Sequence, residues 1–343
     1  MNPFYNPILK RINSQNPLVV ADVGAANGIN QPWLQYTDMA NVLCFGFEPF
    51  PPNFDALKPH NKVKYFPYAI SSNVGERVFW GNSTEGFLDL GNNNEKEIDA
   101  RFKKIIVHTE TLDNLCNEKV LPPVDIIKID SEGHEAYVLE GAARQLEKNT
   151  LFVKAEFTFR RNMASSLHRI GDILGDKGFI PFGISYGYSL MFNALGQGNV
   201  LHLKDISSIL SLSEEKEHIK IMVCKLISIC LLINNINYAF FCLKESRKKD
   251  LFSSPEYNLL YDTITEICFA PALVLVKKSK IRFKLCKLSF LLCHLIGGEM
   301  SNLSTPKDNS LLKSNRLFFK SRFLQKRNSQ YLEKIYKSYT EKI

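Results

Sequence analysis

"LVVADVGAANGI", residues 18–29, runs from an apolar segment into a turn of small residues. Four further apolar runs have a similar character: residues 42–47, 63–66, 124–129 and 151–157. Helix-like stretches lie between several of them, at residues 135–146 and 165–175. Near-continuous apolar strands separated by helices are typical of a parallel sheet that helices cover on both faces. The pattern predicts an α/β fold built on a doubly wound sheet.

Further segments are expected at the margin of this sheet. Strand pairs around residues 69–80 and 105–111 are expected to extend its edge. Residues 81–100 are polar and rich in Gly and Asn, which predicts a loop.

The turn after the first strand carries one acid and two glycines. Gly24 and Gly28 allow the backbone to turn tightly and to approach a ligand closely, and Asp22 stands near the end of the strand. Twenty residues after Gly28, Glu48 ends the second apolar run in "CFGFEP". Ligands of open parallel sheets bind beyond the carboxyl ends of the strands, where an acid on the second strand accepts hydrogen bonds from ribose hydroxyls. The two acids predict a cofactor that contains a nucleoside.

The spacing of the glycines distinguishes between nucleoside cofactors. A nicotinamide or flavin dinucleotide needs glycines spaced as GxGxxG, whereas Gly24 and Gly28 enclose "AAN". Asp22 would also repel a pyrophosphate. S-adenosylmethionine has no phosphate, and an acid stabilises its sulfonium and ammonium groups. We expect S-adenosylmethionine, with a dehydrogenase as a distant alternative and a plain strand–helix turn as the alternative without a ligand.

A second group of ionisable residues lies in "DIIKIDSEGHEAYVLEGAARQL", residues 125–146. Asp130, Glu132, His134 and Glu135 fall between the predicted strand and the first turn of the next helix. Helix capping and the helix dipole explain part of this acidity. A histidine accepts a proton near neutral pH, so His134 is the first candidate for a general base and Asp130 is the second.

Activation by a metal ion is the less favoured alternative. Asp130 and Glu156 end two apolar runs, and their carboxylates would suit Mg²⁺ if the two strands are neighbours. The same acids would equally hold Lys128 or Lys154 by charge.

Five motifs resemble, in their order, those of the FkbM-type methyltransferases: "DVGA…G", "FEP", "TETLDNL", "KIDSEGHEAYVLEGA" and "AEF". The resemblance covers about residues 17–200. It implies a class I methyltransferase Rossmann-like fold that uses S-adenosylmethionine. It also implies O-methylation of hydroxyls on sugars or secondary metabolites.

The resemblance also assigns residues to a site. The expected cofactor-binding residues are Asp22, Gly24, Ala25, Asn27, Gly28, Glu48 and Pro49. The active-site turn is expected at Asp130, Glu132 and Gly133, so that Asp130, Glu132 and His134 are the catalytic candidates. Two positions depart from the family pattern: Ala26 stands where asparagine is frequent, and "STEGFL", residues 83–88, replaces Ser-Ser-Leu.

The sequence changes character after residue 204. We expect a methyltransferase domain over residues 1–204, a helical region over 205–297, and a basic helical tail over 298–343. The apolar stretches of the helical region are too short or too interrupted by polar residues to cross a membrane. Residues 277–343 hold 16 Lys and Arg against four Asp and Glu, interleaved with apolar residues. This pattern suits an anionic membrane surface, and a solvated helical face is the alternative.

The composition of the chain also indicates where the protein works and what it binds. The first residues hold no apolar stretch of signal-peptide length, and the eight cysteines form no CxxC pair. These features predict reduced thiols and a cytoplasmic protein, peripheral at the inner face of the membrane. No nucleic-acid recognition motif accompanies the basic charge. We predict an O-methyltransferase that acts on a sugar hydroxyl of a surface polysaccharide or its lipid-linked precursor, a glycan or glycolipid substrate. A catalytically inactive member that binds the cofactor or a glycan is the alternative.

Overall fold

The chain divides into two compact units, Met1–Ile264 and Thr265–Ile343. The computed structural model describes residues 3–29, 31–82, 86–89, 100–159, 163–189 and 194–276. Both sheets lie in the first unit. The described part of the second unit is residues 265–276, the last turns of a helix.

The described strands are β1 (Leu18–Val23), β2 (Val42–Phe47), β3 (Val63–Phe66), β4 (Ala69–Ile70), β5 (Gly75–Gly81), β6 (Gly86–Leu88), β7 (Lys103–Glu110), β8 (Ile126–Ile129), β9 (Phe152–Thr158), β10 (Phe179–Ser189) and β11 (Ala194–Lys204). After a short 3₁₀ helix, Pro3–Tyr5, the described helices are α1 (Pro7–Gln15), α2 (Trp33–Met39), α3 (Pro51–Asp55), α4 (Leu112–Asn117), α5 (Glu135–Glu140), α6 (Ala143–Lys148), α7 (Leu167–Asp176), α8 (Ile206–Leu210), α9 (Lys216–Leu232), α10 (Ile236–Arg247) and α11 (Ser254–Val276).

The larger sheet has seven strands in the order β10-β11-β9-β8-β1-β2-β3. β1 pairs in parallel with β2 on one side and with β8 on the other, so the chain order reverses between β1 and β8. Val23, at the end of β1, is in register with Phe47 of β2 and Ile129 of β8. The segments that follow these three strands therefore meet at one edge, where ligands of such sheets bind.

Helices cover both faces of this sheet. On one face, alternate residues of the strands join a buried apolar cluster with residues of α4–α7, among them Leu115, Leu139 and Ile170. On the other face, the ring of Trp33 in α2 lies 5.6 Å from that of Phe152 in β9. The predicted α/β class and doubly wound sheet are confirmed.

The bounds of the first strands agree closely with those predicted from the sequence, and the bounds of the later elements agree less closely. β1, β2 and β3 have the predicted bounds, whereas β8 begins at Ile126, two residues after the predicted start. The helix expected over residues 135–146 is divided into α5 and α6 at Gly141. A Cβ at Gly141 would lie 1.9 Å from the carbonyl oxygen of Ser71, so the chain packs closely at this break.

The expected extension of the sheet edge is wrong. β4, β5, β6 and β7 form a separate four-stranded sheet in the order β4-β7-β5-β6. This second sheet has its own apolar cluster, which includes Phe50, Phe79 and Leu88. The loop expected over residues 81–100 contains β6, and residues 83–85 and 90–99 lie outside the described residues.

The region after residue 204 is helical as far as it is described. α9 and α10 pack against each other within the first unit, and the predicted division of the chain at residue 204 stays a prediction. No helix in the described part of the chain is long and apolar enough to cross a membrane. The six cysteines within the described ranges are free thiols, and residues 277–343, which include the basic tail, lie outside those ranges.

Candidate active site

A cavity of about 270 Å³ opens at the carboxyl ends of β1, β2 and β8. Residues of the turn after β1, of the segment after β2 and of the turn after β8 line one side of it. The second sheet adds apolar side chains to the lining: Ile70, Phe79 and Leu88. The cavity thus lies where the chain order of the sheet reverses.

The turn after β1 needs glycine. Gly24 and Gly28 both have φ +82°, a conformation that other residues rarely adopt. A Cβ at Gly24 would lie 1.9 Å from the carbonyl oxygen of Asp130, so this turn packs directly on the end of β8. The backbone N–H groups of Gly24 and Ala25 donate to the carbonyl oxygen of Phe47, at 3.1 and 3.0 Å. These bonds fix the turn between its two neighbouring strands.

The predicted residues of this turn divide into two groups. Gly24, Asn27 and Gly28 line the cavity, as predicted for a cofactor turn. Ala25 is fully buried and is not among the lining residues, because its side chain packs inward. Ala26, which departs from the family pattern, lines the cavity in its place.

Glu48 lines the cavity from the end of β2, next to Pro49. It is 4% exposed, and its Oε1 accepts a hydrogen bond of 2.8 Å from the backbone N–H of Phe50. Burial raises the pKa of the Glu48 carboxyl, and hydrogen bonds from Phe50 and Asn53 and the charge of Lys128 oppose that rise. One carboxylate oxygen is thus held by the backbone on the cavity wall. A buried acid of this kind suits a diol ligand.

Asp22 has a different environment from the one predicted. It is fully buried and does not line the cavity. Its Oδ1 lies 2.9 Å from the Nζ of Lys128, in the register position beside it on β8. The expected direct contact of Asp22 with a cofactor does not fit this arrangement, because a lysine of this protein already neutralises the carboxylate.

The turn after β8 brings Asp130, Glu132 and His134 to the cavity wall. Asp130 is partly exposed, and Glu132 is exposed with a φ of +51°. The Oε1 of Glu135 accepts hydrogen bonds from the backbone N–H groups of Ser131 and Gly133, so this acid organises the turn. The helix cap considered for this acid is not what the structure shows, because no side chain caps α5 and Glu135 instead holds the turn before it.

His134 is buried beside the cavity. Its Nε2 lies 2.9 Å from the Oγ of Ser71, and its ring lies 4.7 Å from that of Tyr137. Burial and the charge of Arg77 lower the pKa of His134 to about 4. The imidazole is therefore neutral at pH 7 and a weak proton acceptor.

Glu156 completes an acidic group at this end of the sheet. Ile129 and Ala155 are in register, so Asp130 and Glu156 follow side by side on β8 and β9. Asp130, Glu132 and Glu156 each offer a carboxylate oxygen, and these atoms all lie within 4.8 Å of one another. Burial and the neighbouring charges of Asp130, Glu132 and Glu135 raise the pKa of Glu156 to about 7, against the opposing charge of Lys128.

The sequence did not identify the apolar wall. Tyr68, Phe79 and Leu88 line the cavity although they lie far from the glycine turn in the sequence. Phe79 lies within a predicted strand pair, whereas Tyr68 lies just before it and Leu88 in the segment expected as a loop. The placement of these residues in or beside a second sheet depends on tertiary packing. The cavity thus combines apolar side chains that suit a purine with a buried acid that suits a ribose. The glycines of its turn lack the GxGxxG spacing that binds a pyrophosphate. These features fit S-adenosylmethionine.

Comparisons with known proteins agree with this chemistry. Residues 22–181 match the family described as "Methyltransferase FkbM domain". The 2-O-methyltransferase NoeI of Sinorhizobium fredii (strain NBRC 101917 / NGR234) is 28% identical over 170 residues, which cover 45% of this chain and 68% of NoeI.

Two solved structures are similar in fold at low identity. The methyltransferase FkbM of Methylobacillus flagellatus KT has a TM-score of 0.34 and 12% identity over 54% of this chain, and the match spans 43% of that protein, less than half its length. The magnesium protoporphyrin IX methyltransferase of Synechocystis PCC 6803 has a TM-score of 0.31 and 11% identity, over 58% of this chain and 76% of that protein. The family match, together with the cavity at the strand ends, gives the conclusion: residues 22–181, just under half of the chain, are similar to the methyltransferase FkbM domain, and the chain is an S-adenosylmethionine-dependent methyltransferase.

Proposed function

We propose that this chain transfers a methyl group from S-adenosylmethionine to a hydroxyl of a saccharide, in a surface polysaccharide or its lipid-linked precursor. The observation that carries the proposal is the group of three carboxylates, Asp130, Glu132 and Glu156, beside the cofactor cavity. Carboxylates accept hydrogen bonds from hydroxyl groups, and sugars present several of these. The name of the relative NoeI, a 2-O-methyltransferase, supports an oxygen atom as the methyl acceptor.

The donor side follows from the cavity wall. Glu48 would accept hydrogen bonds from the ribose hydroxyls, while the turn at Gly24, Asn27 and Gly28 would lie against the methionine part. Pro49 and Phe50 continue the wall from the same strand end. When bound, S-adenosylmethionine supplies a methyl group activated by its positively charged sulfur. The protein then aligns donor and acceptor, which contributes on the order of 7–11 kcal/mol at best to lowering the barrier.

The acceptor side needs a group that takes the hydroxyl proton. Asp130 fits this role best among the sequence candidates, because it is partly exposed and lines the cavity. Glu132 lies on the same wall and is placed to hold a neighbouring hydroxyl. His134 fits the role less well, because its side chain is buried and its Nε2 is already paired with the hydroxyl of Ser71. A base of this kind contributes about 10²–10⁴-fold to the rate.

The experiment is a methyl-transfer assay with the purified chain. S-adenosylmethionine is supplied with a panel of methyl glycosides and nucleotide sugars, and release of S-adenosylhomocysteine is measured. We expect turnover with at least one saccharide and a mass increase of one methyl group on it. Asp130→Asn should lower kcat by about 10²-fold or more while S-adenosylmethionine still binds. Binding of the donor without turnover of any hydroxyl acceptor would favour the inactive, ligand-binding alternative.

Metal activation makes a separate prediction on the same residues. The carboxylates of Asp130 and Glu156 lie on neighbouring strands, and Glu132 adds a third. Hard cations such as Mg²⁺ prefer oxygen ligands of this kind. We keep proton transfer as the favoured mechanism, so activity should persist after exhaustive chelation. If chelation abolishes activity and Mg²⁺ restores it, a metal ion and not a general base activates the acceptor hydroxyl.

We infer further that the enzyme works in the cytoplasm at an anionic membrane surface. The support is the basic and aromatic sequence of residues 277–343. Each Lys or Arg near such a surface contributes about 1 kcal/mol. The full chain should sediment with vesicles that contain anionic lipid, and a chain ending at residue 276 should not. Equal sedimentation of both chains would overturn the membrane proposal. It would favour the alternative that the basic residues belong to a solvated helical face.

A further inference from the structure

Lys128 is a buried lysine at the centre of the larger sheet. It lies on β8, between β1 and β9, and its side chain is 2% exposed. Its Nζ donates to the carbonyl oxygen of Gly24 at 3.2 Å. The same Nζ lies 2.9 Å from Oδ1 of Asp22 and 3.6 Å from Oδ2 of Asp130. One ammonium group therefore joins the end of β1, the cofactor turn and the active-site turn.

These contacts place Lys128 directly behind the cavity wall. Gly24 and Asp130 both line the cavity, whereas Lys128 and Asp22 do not. The ammonium holds the Gly24 carbonyl, so loss of this bond would free the turn to move. A buried ammonium is stable only where its charge is compensated, and Asp22 and Asp130 provide that compensation.

The charge of this lysine also acts on the ligand. Asp22, Asp130 and Glu132 give the strand ends a net negative charge that Lys128 reduces. S-adenosylmethionine carries a sulfonium charge, whereas S-adenosylhomocysteine, the product, has a neutral thioether at the same place. Their relative affinity therefore reports the electrostatic potential at the strand ends.

We propose that Lys128 is a positioning residue for the cofactor turn whose positive charge sets how strongly the site prefers S-adenosylmethionine over S-adenosylhomocysteine. With the lysine present, the preference for the charged donor is moderate. Without it, the acids attract the donor more than the product. The inference concerns donor and product alone, so it does not depend on which acceptor the enzyme methylates.

The test is calorimetric titration of the full chain with each of the two ligands, and its readout is the ratio of their Kd values. Lys128→Met should weaken binding of S-adenosylhomocysteine and raise the preference for S-adenosylmethionine about tenfold. Asp22→Asn removes a negative charge from the same pair and should shift the preference in the opposite direction. A purely structural defect would weaken both ligands alike.

Two matched variants keep the charge balance. Lys128→Arg keeps the positive charge, so the preference should stay within about twofold of the wild-type value even if both affinities fall. The double variant D22N/K128M removes both charges and should likewise restore the wild-type preference. If Lys128→Met does not fold, thermal unfolding will reveal it, and Asp22→Asn with Lys128→Arg still decides the question.

The possible outcomes distinguish the role of Lys128 from the assignment of the donor site. A wild-type chain that binds both ligands, with Lys128→Met and Asp22→Asn leaving the preference unchanged, would overturn the role of Lys128 and leave the methyltransferase assignment intact. A wild-type chain that binds neither ligand would overturn the donor site itself. A shift of the same size in Lys128→Arg would show that shape, and not charge, sets the preference.

Discussion

Glu48 is the side chain whose removal tests donor binding most simply. Its carboxylate lies on the cavity wall at the end of β2 and is held by the N–H of Phe50. Glu48→Ala should weaken binding of S-adenosylmethionine about tenfold to a hundredfold, because hydrogen bonds to a charged group contribute about 1.5–3 kcal/mol. Calorimetric titration measures this effect, and Glu118→Gln, on an exposed acid, is the control. An affinity within twofold of the wild type would remove Glu48 from the site.

Glu156 makes the stability of the protein depend on pH. Its folded-state pKa is about 7, above the ordinary value of 4.5, so the folded state keeps a proton that the unfolded state has released between these values. The carboxyl therefore lowers the free energy of unfolding progressively as the pH rises from about 4.5 to 7. Glu156→Gln should raise stability at pH 8 by on the order of 1 kcal/mol, since solvent screens this half-buried group. It should have no effect at pH 4.

Urea denaturation at both pH values measures this difference. The matched control is Glu118→Gln, an exposed acid at the end of α4. If Glu156→Gln destabilises the protein at pH 8, the carboxylate has a favourable partner there, as it would with a bound cation.

Lys204 joins the ends of two helices to the last strand of the sheet. It is 2% exposed, and its Nζ donates to the carbonyl oxygens of Leu146 in α6 and of Lys177 after α7. A positive charge at a helix C-terminus also interacts favourably with the helix dipole. Lys204→Met should therefore lower the free energy of unfolding by about 2–4 kcal/mol, since it leaves buried carbonyl groups without a donor.

The control for this variant is Lys148→Met, which removes an exposed lysine from the end of α6. We expect a change within about 0.5 kcal/mol there. Urea denaturation compares the two variants. A cost of Lys204→Met no larger than that of the control would mean that water replaces the ammonium group at both helix ends.

The elements also show what a sequence pattern can predict. β1, β2 and β3 have the predicted bounds because each apolar run is closed by a residue that interrupts a strand: Gly24 after β1, Pro49 after β2 and Pro67 after β3. The apolar wall and the second sheet were not predicted, because alternation in residues 69–111 identifies strands and not their partners. Asp22 and Lys128 are 106 residues apart in the sequence, so only the register of β1 with β8 reveals their ion pair. The sequence thus pointed to the end of the sheet where the cavity lies, but it gave no sign that Asp22 is buried and paired with Lys128.

The helices after residue 204 are bound to the sheet by specific polar contacts. Lys225 of α9 donates to both carboxylate oxygens of Asp125, at 2.9 and 2.8 Å, and Asp125 is 4% exposed. The hydroxyl of Tyr36 in α2 donates to the carbonyl oxygen of Leu232 at 2.7 Å. The helices up to residue 264 therefore complete one compact unit with the sheet.

A truncation tests this view against the division of the chain at residue 204. A chain of residues 1–204 would lose the ion pair of Lys225 with Asp125 and would expose to water the apolar residues that α9 covers. We expect that chain to lack near-ultraviolet circular dichroism and donor binding, while residues 1–276 keep both. Donor binding of wild-type strength by residues 1–204 would instead establish an independent methyltransferase domain.

The most direct measurement is a crystal structure of the full chain with S-adenosylhomocysteine. We expect the ligand in the cavity at the ends of β1, β2 and β8, with its ribose hydroxyls donating to the carboxylate of Glu48. The thioether should lie near Gly24 and Asp130, and the ion pair of Asp22 with Lys128 should stay intact behind the wall. A ligand bound elsewhere, or one whose ribose makes no contact with Glu48, would contradict the central claim.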